Sequence, residues 1–341
     1  MTVTTRKLNY PWRSVGTPIP IENRLCVADA LKIGNLNFEV IKISQTSAPN
    51  TADNIPPGLG TSGDFFGITN PEKAMTVRAD TKSYLGTVGS RYTIVQNSDA
   101  FAFFQEALGE TAACIEAVGC LGRYGSTAFM VATMPEMLEI VPGDPVSRHI
   151  MLTTSHDGSS NIEARFLHWR EANNSGVQFT GKREGRVRIR HTKNANLRLQ
   201  EAHRVLSADQ QYWDRAIRAY RYMAKRTVAN TDVKDFLERL YPAKSDNPGA
   251  RTRLARERLN ELFQAGCPGS DLAGTTSWGL YNTVCYFVEH NRENRGKRAG
   301  SKWEIATVGP GSDLRQRAFR LLTEGVDIDG LDENGLVLAG V

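Results

Sequence analysis

The chain has 341 residues, 40% hydrophobic and 23% charged, with a formal net charge of +5. These values belong to globular proteins and exclude disordered, collagen-like and coiled-coil classes. No apolar run approaches the roughly 18 residues of a membrane span, and the start Met1-Thr2-Val3-Thr4-Thr5-Arg6 lacks a signal-peptide core, so the expected location is the cytosol.

The first 70 residues are punctuated by Pro11, Pro18, Pro20, Pro49, Pro56 and Pro57 and are expected to be irregular. The exceptions are a short helix over Val27 to Ile33 and a strand over Asn37 to Ile43, in which the alternation slips between Val40 and Ile41. Short strands follow at Met75 to Arg78, Tyr84 to Val88 and Tyr92 to Val95. Asn97-Ser98-Asp99 then caps a helix from Ala100 to Leu108. Cys114 to Leu121 and Thr127 to Met134 form a hairpin around Gly122-Arg123-Tyr124-Gly125. Ile150 to Ser155 and Asn161 to Arg170 form a second around Asp157-Gly158, with Ile162, Ala164, Phe166 and His168 on one face. In Gly185 to Arg190 apolar and cationic residues alternate, which puts Arg186, Arg188 and Arg190 on one face of a strand.

Beyond Asn196 the periodicity becomes helical: a long segment through Met223, then Thr231 to Leu240, Thr252 to Gln264, Ser277 to Glu289 and Asp313 to Thr323. The expected fold class is α+β, an antiparallel β-rich core with a packed helix followed by a helical C-terminal region. The segments are 1–70 irregular, 71–205 β-rich with a basic face, 206–325 helical, and 326–341 an acidic tail. The tail could compete with a ligand for the basic face.

Charge is unevenly distributed. Between Lys182 and Arg204 eight basic residues face two acidic ones, a local balance of +6. Few acidic residues nearby could neutralise three arginines on one strand face, so a row of exposed guanidiniums is expected. Cations neutralise phosphates, and exposed aromatic rings stack on unpaired bases.

Other motifs carry less. Gly58-Leu59-Gly60-Thr61-Ser62-Gly63 has dinucleotide-loop spacing but follows Pro56-Pro57 instead of a strand, and Gly176 to Lys182 resembles a phosphate loop but has Arg183 where magnesium needs a hydroxyl. Ser155-His156-Asp157 are consecutive, so their side chains alternate in direction and cannot form a relay. His149, His156, His168 and His191 lack zinc-site spacing, and Asp327-Ile328-Asp329-Gly330 lacks the later ligands of a calcium loop. The five scattered cysteines read as buried reduced thiols. No cofactor and no metal is expected.

Several segments together resemble a phage and plasmid protein family known as domain of unknown function 932. They are Val88-Gly89-Ser90-Arg91-Tyr92 with Val95-Gln96-Asn97 and Phe101; Thr154-Ser155-His156-Asp157-Gly158-Ser159-Ser160 with Arg165-Phe166; Asn173-Asn174; Arg190-His191-Thr192; and Trp278-Gly279 with Asn282, Tyr286, Val288 and His290. Where the family pattern has a Cys before the paired Asn, this chain has Ala172. The order of hairpin, strand and helix looks like the β-β-β-α core of phage single-strand annealing recombinases. That likeness implies a homo-oligomer, with a ring as one form, binding and annealing single-stranded DNA in a bacterial host cell, with RNA left open.

On this reading Arg165, Arg170, Lys182, Arg183, Arg186, Arg188, Arg190, Lys193 and Arg198 contact phosphates, and Trp169 or Tyr92 stacks on bases. Two alternatives stand beside it. One is an enzyme acting on nucleic acid or nucleotide through His156, Asp157 and His168. The other is a mobile-element protein whose basic face meets an acidic host protein.

Overall fold

The computed structural model describes residues 10–46, 69–109, 113–179, 186–195, 209–243, 248–291, 302–307 and 309–337. Gly58 to Gly63, Lys182, Arg183, Arg198 and the start of the segment after Asn196 lie outside them.

The fold is α+β, with an antiparallel sheet curled into a half-barrel and a helical C-terminal region. The large sheet contains β1 (Thr17–Pro18), β5 (Cys114–Leu121), β6 (Thr127–Glu139), β7 (Pro145–Ser155), β8 (Ile162–Arg170) and β10 (Arg186–Ile189), in that spatial order. β9 (Ser175–Val177) pairs with the far end of β8. A smaller sheet has the order β2 (Val40–Thr46), β3 (Thr69–Arg78), β4 (Tyr84–Gly89). It joins the large sheet where the Thr76 hydroxyl donates to the His156 carbonyl and Gly86 packs on the backbone of Asp157.

Both expected hairpins form, since glycines supply their left-handed positions: Gly122 has φ +75° and Gly158 φ +74°. The strand expected over Tyr92 to Val95 does not. That segment is an extended link tied down by Lys42, whose Nζ donates to the carbonyls of Ser90 and Tyr92 at 2.7 and 2.9 Å. The early residues expected to be irregular include a helix, Pro11–Val15, begun by a proline at a position where the missing N–H costs nothing.

What positions the site is that β7 and β8 are covered on both faces. On one face Ile162, Ala164, Phe166 and His168 are buried in the main core, where Phe166 and His168 meet the helix Asp209–Lys225: Phe166 stacks on Tyr212 at 5.2 Å, and His168 Nδ1 lies 2.8 Å from the Tyr220 hydroxyl. Against both that helix and β9 packs Ser277–Tyr286, whose residues 277–285 are all buried. Gly279 is required there, because a Cβ would lie 2.1 Å from the Gly274 carbonyl oxygen.

On the opposite face Leu167 and Trp169 pack with Tyr10, Trp12, Phe129 and Trp303. The N-terminal segment and the short helix Lys302–Thr307 thus form a second cover, with Trp12 and Trp169 edge to face at 5.1 Å. Such aromatic pairs add directional contact to the burial of large apolar surfaces.

The acidic tail, described to Val337, folds back onto the helix Asp209–Lys225: Asp329 pairs with Arg215 at 2.8 Å, and Arg221 donates to the Glu333 carbonyl. The Asp329 carboxylate thus goes to that helix, and among the described residues no tail carboxylate pairs with β10, contrary to the expected competition for the basic face. The cysteines are all free, but only Cys267 and Cys285 are buried; Cys26 is exposed, and Cys114 and Cys120 are intermediate. Among the described residues no helix is long and apolar enough to cross a membrane.

Candidate nucleic-acid interface

Antiparallel register places residues directly opposite each other on the same face. Arg186 lies opposite Arg165 and Arg188 opposite Glu163, so three guanidiniums meet one carboxylate. Arg186 Nε and Arg188 Nε each lie 2.7 Å from a Glu163 oxygen, and Arg165 is bonded to the same carboxylate. Arg165 also donates to the Thr307 carbonyl.

The expected unpartnered row is therefore wrong for these residues. Glu163, on the adjacent strand, partly neutralises them and leaves the group with two excess positive charges. Side-chain exposure runs outward from Arg165 at 7%, through Arg186 at 32%, to Arg188 at 53%. Past the end of β10, Arg190 and Lys193 are exposed and have no carboxylate partner among the described residues.

Three of the residues assigned to the interface are internal. The Arg170 side chain is fully buried, with Nε 2.6 Å from Asp144 Oδ1 and Nη2 donating to the Gly269 carbonyl. Asp144 also accepts from Trp278 Nε1 at 2.9 Å, which locks the sheet to the buried helix. Arg165 is 6% exposed and Trp169 2%, so neither reaches a polynucleotide on the surface. Tyr92 is half-buried: its hydroxyl donates to the Ser155 carbonyl and its ring stacks on His191 at 4.8 Å, so one face is already taken.

Four of the motif segments meet at one end of the large sheet. Asp157 accepts from the hydroxyls of Ser155 and Ser126 and from the Ser159 amide. Burial raises its pKa, but the bonds from Ser155, Ser159 and Ser126 outweigh that and hold it below the usual carboxylate value. His156 turns the other way, with Nε2 2.8 Å from Asn97 Oδ1. Burial pushes the pKa of His156 down to about 4, helped by nearby His191, and that of His191 also to about 4. Both imidazoles are thus neutral at pH 7.

His168 sits in the core against Tyr220, its pKa pushed by burial to about 3. It is not brought together with His156 and Asp157, so the residues of the enzyme alternative do not form one site.

A relay-like chain does occur elsewhere, unsignalled by any motif. Ser147 Oγ lies 2.9 Å from His149 Nε2, and His149 Nδ1 lies 2.7 Å from Glu116 Oε1. Trp12 and Arg13 also donate to Glu116. Ser147, His149 and Glu116 are each at most 1% exposed and Tyr10 and Trp12 pack over His149, so this chain ties the N-terminal cover to the sheet. Among the described residues no three His, Cys, Asp or Glu side chains converge as a metal-binding group.

Fold and site define an α+β protein with β7 and β8 of its central sheet covered on both faces and with Arg186, Arg188, Arg190 and Lys193 along one edge and one end of that sheet. The family model for a domain of unknown function, DUF932, matches residues 84–307, and the chain belongs to that family. Neither a curated protein nor a solved structure matches it.

Proposed function

We propose that this protein binds single-stranded nucleic acid, with DNA as the first choice, along the β10 edge and the adjoining end of the large sheet. Its role on this reading is annealing during recombination of a phage or plasmid in a bacterial cytoplasm, as a homo-oligomer. One observation carries the reading: three guanidiniums share the Glu163 carboxylate, and Arg190 and Lys193 continue the line without a carboxylate partner among the described residues.

Such a line neutralises phosphates and releases their counterions, and neutralising two strands at once lowers the repulsion that opposes pairing. The interface is narrower than the sequence suggested. It keeps Arg186, Arg188, Arg190 and Lys193 and drops Arg165, Arg170 and Trp169. No covalent step is needed.

The test is fluorescence anisotropy with a labelled oligothymidylate over a range of salt concentrations. Affinity should fall with salt, and Arg190→Ala with Lys193→Ala should flatten the log-log slope by about 1.4, at about 0.7 per phosphate contact on a single strand. Thermal stability should not change. Wild-type binding that ignores salt, or an unchanged slope in the double variant, would overturn the reading.

A further inference from the structure

Arg91 is not among the residues expected to contact phosphates, yet the fold brings it to them. It occupies a tight turn, Gly89 to Tyr92, closed by the Tyr92 amide on the Gly89 carbonyl at 3.0 Å. The backbone of that turn is pinned: the Ser90 amide donates to the Glu72 carbonyl at 2.9 Å, and Lys42 holds the carbonyls of Ser90 and Tyr92. Arg91 stands exposed between these anchored groups, and its guanidinium has no partner among the described residues.

Lys193 has a similar setting. It lies in a turn closed by the Ala195 amide on the Thr192 carbonyl at 2.9 Å, and it too is exposed. The two turns are coupled. The Tyr92 ring stacks on His191 at 4.8 Å, the Thr93 amide donates to the His191 carbonyl at 3.2 Å, and the Tyr92 hydroxyl donates to the Ser155 carbonyl at 2.8 Å. Arg91 and Lys193 each stand two residues from the Thr93–His191 bond, so their Cα atoms lie within roughly 22 Å of each other. One strand can reach both.

We infer that Arg91 contacts a phosphate of the bound strand on the Tyr92 side of the stack, as Arg190 and Lys193 contact it on the His191 side. Resting on the nucleic-acid reading above, this contact gives the strand a path: along β10, across the junction of the two sheets, to the turn that follows β4. Because the backbone of both turns is already fixed, little of it has to be ordered on binding.

Carboxylates at this end of the sheet do not pair with these cations. Asp157 accepts from Ser126, Ser155 and the Ser159 amide, and Glu72 meets the turn through its carbonyl. The exposed side chains of the same turns include Ser90, Ser159, Ser160 and Thr192, and hydroxyls of this kind donate to phosphate oxygens. No large apolar side chain is exposed over residues 88–95, 157–161 or 190–194. A protein partner draws its affinity from such anchors at the centre of an interface, so the surface suits a polyphosphate chain better than an acidic protein.

The experiment measures the salt dependence of oligothymidylate binding for wild type, Arg91→Ala, Arg91→Lys, the Arg190→Ala, Lys193→Ala variant and the triple variant that adds Arg91→Ala to it. Arg251→Ala, at an exposed position of the helix Ala250–Ala265, controls for the loss of one surface charge. Arg91→Ala should flatten the log-log slope by about 0.7 and the triple variant by about 2.1. Arg91→Lys and Arg251→Ala should keep the slope, thermal melts should not change in Arg91→Ala, and polyglutamate of equal charge should bind wild type more weakly.

If Arg91→Ala keeps the wild-type slope while the Arg190→Ala, Lys193→Ala variant flattens it, the Arg91 contact is wrong and the nucleic-acid reading stands. If wild type binds no oligothymidylate, both fall. If Arg251→Ala flattens the slope as much as Arg91→Ala, the attraction is diffuse and the contact is overturned. It is overturned equally if polyglutamate binds as tightly as oligothymidylate, which would make an acidic protein the occupant.

Discussion

Replacing Glu163 by glutamine should move stability and nucleic-acid affinity in opposite directions. The Glu163 and Arg165 side chains are 9% and 7% exposed, so theirs is a buried pair. Removing one partner of such a pair costs about 3 to 5 kcal/mol, because the other charge is left without compensation. Arg165 keeps its bond to the Thr307 carbonyl, which pulls the value toward the lower end.

Arg186 and Arg188 are 32% and 53% exposed, so solvent screens them, and each contributes about 0.2 to 1 kcal/mol. Glutamine retains the side-chain volume and one acceptor oxygen. The expected loss is therefore about 3 kcal/mol, read as a lower urea midpoint with an unchanged m-value. The same substitution raises the local excess from two positive charges to three, so low-salt affinity for oligothymidylate should rise in the folded protein. A stability loss under about 0.5 kcal/mol, the range of ordinary surface substitutions, would refute the assignment of Glu163 as the shared counter-charge.

Asp144→Asn should separate a structural arginine from a binding one. The Arg170 and Asp144 side chains are both fully buried, so the loss of charge should cost about 3 to 5 kcal/mol, with salt slope and affinity of the remaining folded protein unchanged. Acid titration should expose the buried imidazoles. Burial holds His156 and His191 at about 4 and His168 at about 3, against 6.5 when free. Between those values the unfolded chain binds more protons than the folded one, so stability must fall as pH drops from about 6.5 toward 4, by about 3 kcal/mol or more. Thermal melts across that range should show the fall, and His191→Gln should make it shallower; a flat profile would mean that these rings are charged in the fold or solvated.

Local chemistry made much of the fold legible. The glycine turns at 122 and 158 and the period-two alternation of β8 each lie within a few residues of what they decide. The cover on the second face was not legible in that way. Tyr10 and Trp12 sit among prolines and meet β8 across more than 150 residues of chain, a tertiary pairing with no local periodicity. Yet β8 held a signal. With Ile162, Ala164, Phe166 and His168 on one face, alternation forces Glu163, Arg165, Leu167 and Trp169 onto the other, and a face that includes Leu and Trp belongs against protein. That inference would have buried Arg165 and made Glu163 the natural partner of the next strand's arginines.

A sheet covered on both faces can show charge only at its margins, and charge on an edge strand has a second possible purpose, blocking pairing with another chain. The two purposes predict different positions. Edge protection needs charges beside the exposed backbone of β10, where Arg186 and Arg188 sit, and there Glu163 draws them inward. Arg190 and Lys193 lie beyond Ile189, the last residue of that strand, next to the turn that displays Ser159 and Ser160 to solvent. Among the described residues no strand edge there needs blocking, so protection against pairing does not account for their charge, and the polyanion contact proposed above would place phosphates there.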